Sequence, residues 1–171
     1  MGETTAEPQW LFLVDPMWAP ADEHDRPPVE AVVGGWLVDA AGEIGRFEPN
    51  EEYKPATPDS PTDPVDAALR LVARGEMDTD ALFSVLRGAE FGVAMEDGVP
   101  VVAHAPDDVL SLLVTTAPAH RNRVNAPVWR VVTAAELAEL LAEHEADALF
   151  NPGATTSIRL TASAVADAVN R

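Results

Sequence analysis

Apolar residues recur along this chain with two different periods, and the switches between them mark its elements. Gln9-Trp10-Leu11-Phe12-Leu13-Val14 is a short continuous apolar and aromatic run, which predicts a buried strand. Val29 to Asp39 predicts a second strand, in which Gly34-Gly35 marks a bulge or a close approach of backbones. Ala40-Ala41-Gly42-Glu43 predicts a turn into Ile44-Gly45-Arg46-Phe47, paired antiparallel with it. Helical spacing takes over at Pro64, with Val65, Leu69 and Val72 on one face beside Ala68 and Leu71, and Gly75 ends the helix. A second helix, starting after Asp78 or Thr79, presents Leu82, Phe83, Val85 and Leu86 and stops at Gly88. Strand character returns in Glu90–Met95 and Val99–His104, joined by the hairpin signal Asp97-Gly98, and again in Leu110–Thr115. Trp129–Val132 predicts a short strand, and Thr133 with Glu136 forms a capping box for a helix carrying Leu137, Leu140, Leu141 and His144 on one face. Ala146–Phe150 is a buried strand. Asn151-Pro152-Gly153 turns the chain toward a strand ending at Leu160, with Asn151 expected in extended geometry ahead of the proline and Gly153 free to take positive φ. Thr161 caps a last helix that buries Val165 and Val169. The fold class is α+β: a mixed, largely antiparallel sheet with helices packed against it.

The segments between these elements set the organisation. Residues 1–8 are expected to fray, and Asp15–Pro28 is a loop with four prolines and the cluster Asp22-Glu23-His24-Asp25. Glu48–Asp63 is acidic and proline-rich, without periodicity, and predicts an extended surface linker. Residues 1–63 therefore form an N-terminal strand and hairpin extension with a linker. Residues 64–171 form the α+β domain, and the two are expected to make one compact unit.

Charge sharpens this division. The 171 residues carry a formal charge of -18, and residues 1–66 hold 15 acids against three bases, while the remainder holds 14 against eight. Such a field repels phosphate backbones, which argues against nucleic acid, and attracts a basic partner over about 8 Å at physiological salt. Cysteine is absent, which excludes disulfides, thiolate metal sites and cysteine nucleophiles. The start of the chain lacks the basic region and apolar run of a signal peptide, and no apolar run is long enough to span a membrane, so a cytoplasmic location without membrane insertion is expected.

Candidate chemistry is sparse. His144 lies between Glu143 and Glu145, but neighbouring helix residues diverge by about 100° and do not converge on one ion. The cluster around His24 lacks the ordered oxygens and glycine of a calcium loop. No serine sits in a G-x-S-x-G elbow, and there is no G-x-G-x-x-G or phosphate-cradling loop. No catalytic residue, metal or cofactor is assigned, and the chain is not expected to be an enzyme. Two groups remain. His120, Arg121 and Arg123 form the one basic island of an acidic chain and suit a phosphate or carboxylate. Met17 and Trp18, beside Asp22, Glu23 and Asp25, suit a contact hot spot on a protein partner. Trp10 and Trp36, on strands, are expected in the core.

The order of elements from Asp66 to Val169, above all Leu149-Phe150-Asn151-Pro152-Gly153, resembles the N-terminal domain of SseB-like bacterial proteins. The whole chain is similar to type VII secretion system-associated proteins in Trp10-Leu11-Phe12-Leu13-Val14-Asp15-Pro16, Val33-Gly34-Gly35-Trp36, Pro58-Asp59-Ser60-Pro61-Thr62-Asp63-Pro64 and Ala117-Pro118-Ala119-His120-Arg121. The resemblance supplies no catalytic residues. It implies a non-enzymatic accessory that binds a type VII secretion substrate or a component of the machinery. The alternative is a sensor of a small anionic ligand at the His120–Arg123 loop.

Overall fold

The first apolar run forms β1 (Gln9–Val14), followed after a loop by β2 (Val32–Val38) and β3 (Ile44–Pro49). They make an antiparallel sheet in the order β1-β2-β3. A computed structural model describes residues 7–171, and the fraying expected of the first residues lies, for 1–6, outside the described residues. The chain divides into two compact units at Pro64/Val65. The extension is thus a unit of its own.

Close approach explains the glycine pair of β2. A Cβ on Gly34 would collide with the Phe47 ring and the Glu48 carbonyl. One on Gly35 would lie 2.7 Å from the Leu11 carbonyl, 3.0 Å from Cδ1 of Phe12 and 3.3 Å from Cε3 of Trp10. Each glycine makes room for aromatic rings on its own face of the sheet. The expected burial of β1 is not observed: Trp10, Leu11 and Phe12 are 45%, 52% and 57% exposed. A short edge strand facing glycines finds few side chains to cover it, so an apolar run alone did not decide its burial. Trp36 is half-buried against Phe47, with ring centroids 4.9 Å apart.

The proline-rich segment after β3 is not a free linker. The single proton of the Tyr53 hydroxyl is shared between Asp15 Oδ2 at 3.0 Å and the Pro61 carbonyl at 2.9 Å, and the Ala56 N–H donates to the same carboxylate oxygen at 3.0 Å. Asp15, Ser60 and Pro61 are buried. One buried carboxylate holds a segment that shows no periodicity.

The second unit contains α1 (Pro64–Ala73), α2 (Thr79–Arg87), β4 (Glu90–Glu96), β5 (Val99–Pro100), β6 (Val102–His104) and β7 (Leu110–Thr115). A 3-10 turn over Pro118–Arg123 leads to β8 (Val128–Thr133), α3 (Ala134–Glu143), β9 (Asp147–Phe150), β10 (Ile158–Leu160) and α4 (Ala162–Asn170). The sheet runs β10-β9-β7-β4, with β8 along the other edge of β4. Only β7 and β9 are parallel, so the sheet is mixed and mostly antiparallel, and the class is α+β. The predicted hairpin partner of β4 is split. Val99-Pro100 pairs with β4, whereas Val102–His104 pairs with β7. Pro100 brings no N–H to the ladder, and the chain crosses to the next strand.

The core is built from Leu69 on α1, Phe83 and Leu86 on α2, Leu137 and Leu141 on α3, and the edge-to-face pair Phe91 and Phe150 at 5.5 Å. Asp66 is also fully buried, paired with Arg70 one turn on at 3.1 Å. The capping box forms as its residues require: Glu136 N–H donates to Thr133 Oγ1 at 3.3 Å and the Thr133 N–H to Glu136 Oε2 at 2.8 Å. Thr133→Ala should cost about 1 kcal/mol in urea denaturation, the usual weight of a lost N-cap. Asn151 is not extended. It takes φ 48 and is followed by Gly153 at φ 77, so the chain reverses through left-handed backbone at both residues. No helix among the described residues is long and apolar enough to cross a membrane.

Candidate functional site

In the first unit, alternation along β1 puts Trp10 and Phe12 on one face and Leu11 on the other. The two rings stack, with centroids 6.2 Å apart and planes 8° from parallel. Beside them runs an open groove of about 710 Å³, lined by Trp10, Phe12, Val29, Val32, Pro49 and Asn50 among others, with Arg26 and Glu48 contributing charge. Asn50 secures the groove wall by donating to the carbonyls of Val29 and Val32, each at 2.8 Å. Among the described residues β1 pairs on one side only, so the other is an edge with an unmatched row of backbone donors and acceptors.

The predicted contact residues sit in the loop after β1. Met17 is 62% exposed, while Trp18 is half-buried and does not stand out as the exposed aromatic expected of a hot spot. The exposed aromatics are Trp10 and Phe12 instead, both within the run expected to be a buried strand, because a continuous apolar run gives no facing signal. Asp22, Glu23 and Asp25 are all exposed, but they differ in role. Asp22 Oδ1 accepts from the His24 N–H at 2.8 Å and Asp25 Oδ2 from the Ala21 N–H at 2.9 Å, so both carboxylates hold the turn together. Glu23 makes no such bond among the described residues.

In the second unit, the basic island divides. His120 is 2% exposed, and its Nδ1 lies 2.9 Å from Arg123 Nη1. The stem of Arg123 also packs over Gly153, with its Cβ 3.5 Å from where a side chain there would begin. The expectation that His120, Arg121 and Arg123 grip one anion together is therefore corrected: His120 and Arg123 engage each other, because an imidazole nitrogen facing a guanidinium serves as its acceptor.

Arg121 turns the other way. It lines a pocket of about 200 Å³ with Glu90, Gly92, Thr115, Thr116 and Val131 among its walls. Its guanidinium carbon lies 5.6 Å from the centre of the Trp129 ring, a cation–π contact that orients the charge without neutralising it. Thr115 and Gly92 were not recognised in the sequence, because they meet only through the pairing of β4 with β7. Among the described residues no three His, Asp or Glu side chains gather as a metal site requires. Comparison with protein-family models, with curated proteins and with solved structures found no match for this chain.

Proposed function

We propose that this chain is a cytoplasmic, non-enzymatic accessory of bacterial type VII secretion that works by binding a protein, taking an extended basic and apolar segment of a secretion substrate or machinery component against β1. The observation that carries this reading is the exposed edge strand: three consecutive large apolar residues, Trp10, Leu11 and Phe12, are about half exposed on an edge left unpaired among the described residues, beside a largely apolar groove. Protein surfaces normally blunt such an edge with charge or proline. Addition of a strand satisfies the backbone groups, and alternate side chains of the added segment fall on the Trp10 and Phe12 face. The excess of acids over bases in the first 66 residues selects a basic segment and speeds encounter. The cellular setting rests on the resemblance read from the motifs at residues 10–16, 33–36, 58–64 and 117–121.

The test is recovery of partners by tagged full-length chain from native lysate at low and high salt, compared with Phe12→Lys. Phe12 is exposed, so the variant should fold, while losing a central anchor should weaken binding by roughly 30-fold. Reversing Glu23, Glu51 and Glu52 to lysine, which spares the turn bonds of Asp22 and Asp25, should slow association roughly tenfold at low salt and flatten its salt dependence. Equal recovery of a type VII component by the wild type and Phe12→Lys would remove β1 from the interface.

A further inference from the structure

The pocket of the second unit carries chemistry that docking on β1 does not use. Gly92 and Thr115 face each other across the β4–β7 pair. The point where a Cβ on Gly92 would stand lies 2.8 Å from Thr115 Oγ1, 3.1 Å from Arg121 Nη2 and 3.2 Å from Arg121 Nε. Thr115 and Arg121 thus pack directly over Gly92, where any side chain would displace them, and both line the pocket beside it. Thr115 is 1% exposed, and both its Oγ1 and Arg121 Nε are shut from water without a hydrogen-bond partner. Buried polar atoms nearly always find partners, and two that lack them belong to residues lining this one pocket, which calls for an acceptor from outside the chain. Arg121 forms no ion pair among the described residues, so its charge remains available.

The Nε–Nη2 edge of a guanidinium matches the two oxygens of a planar carboxylate, and the Thr115 hydroxyl supplies a further donor. A single guanidinium, with the Glu90 side chain also among the walls, suits a singly charged group over a phosphate dianion. The volume of about 200 Å³ accepts a few heavy atoms. We propose that this pocket binds the carboxylate of a small organic acid, held by Arg121 and Thr115.

The experiment uses the full chain and follows the amide resonances of Gly92, Thr115 and Thr116 during titration with formate, acetate and inorganic phosphate. Formate or acetate should give saturable shifts at these amides with millimolar affinity, and phosphate should bind more weakly. Arg121→Met keeps an apolar stem over Trp129 and should weaken carboxylate binding by at least about tenfold, the weight of a charge-assisted pair. Thr115→Val is the second variant. It should reduce affinity by roughly threefold without lowering the melting temperature, because it deletes a hydroxyl that has no partner among the described residues. Absence of saturable shifts up to about 50 mM carboxylate, tighter binding of phosphate than of carboxylate, or undiminished binding by Arg121→Met would each overturn the proposal. None of these outcomes bears on β1, which lies in the other unit.

Discussion

Replacing Asp15 by alanine should destabilise the first unit by about 4 kcal/mol, since a buried donor left without its acceptor costs about 1–3 kcal/mol. The carboxylate accepts the Met17 N–H at 2.9 Å, the Ala56 N–H at 3.0 Å and the Tyr53 hydroxyl at 3.0 Å. It ties the end of β1 to a segment some 40 residues later. A loss of this size is a large share of the stability of a small unit, so the proline-rich segment and the β1 loop should come free together. Trp10, Trp18 and Trp36 lie in this unit and Trp129 in the other, so tryptophan emission during urea unfolding reports mainly on the first. A midpoint equal to that of the wild type would show that the segment is held by other contacts.

The same carboxylate predicts a pH dependence. Burial raises the pKa of Asp15, but the N–H donors of Ala56 and Met17 and the hydroxyls of Ser60 and Tyr53 outweigh it and hold the group below its ordinary 3.8. A group with a lowered folded pKa binds fewer protons folded than unfolded. Its stabilisation is complete above the unfolded value and drains away as pH falls from there toward the folded one. Melting temperatures of the wild type should therefore drop below about pH 4, and Asp15→Asn should lack that part of the drop.

These contacts show where sequence reading succeeds and where it stops. Local chemistry was legible. Thr133 and Glu136 cap a helix within four residues, and Asp97-Gly98 turns a hairpin with both residues at positive φ. Glycine, caps and periodicity act over a few residues, and the bonds they form do not depend on distant chain. Asp15 was invisible because its partners lie 38 and 41 residues away in a stretch with no pattern. Burial of β1 was misjudged because a run without polar alternation carries no facing information. The candidate pocket was half legible. Arg121 stood out as a cation in an acidic chain, whereas Thr115 and Gly92 acquire meaning only once β4 and β7 pair. Nothing in the string His120-Arg121-Asn122-Arg123 told which cation would be consumed by the histidine and which would face the pocket.

Asn151 unites both kinds of signal, and its replacement should be the most disruptive single change at the end of the central strands. It is fully buried, and its N–H donates to the Val114 carbonyl at 2.8 Å. Its Oδ1 accepts the Thr116 N–H at 3.0 Å, and its Nδ2 donates to Thr116 Oγ1 at 3.0 Å. The turn seen in the sequence is therefore also a clamp between the ends of β9 and β7. Asn151→Ala loses both side-chain bonds, at about 1 kcal/mol each, and puts alanine, which takes left-handed backbone less readily than asparagine, at φ 48, for a further 1 kcal/mol or so. The expected loss is about 3 kcal/mol. Asn151→Gly tolerates the positive φ and should lose nearer 2 kcal/mol. Urea unfolding of the second unit, followed by far-ultraviolet circular dichroism of its helices, measures the order of the two variants. Hydrogen exchange at Thr115 and Thr116 should quicken in both, since the clamp holds the strand end from which the pocket hydroxyl projects. A glycine variant as unstable as the alanine one would assign the whole effect to the hydrogen bonds and none to the backbone.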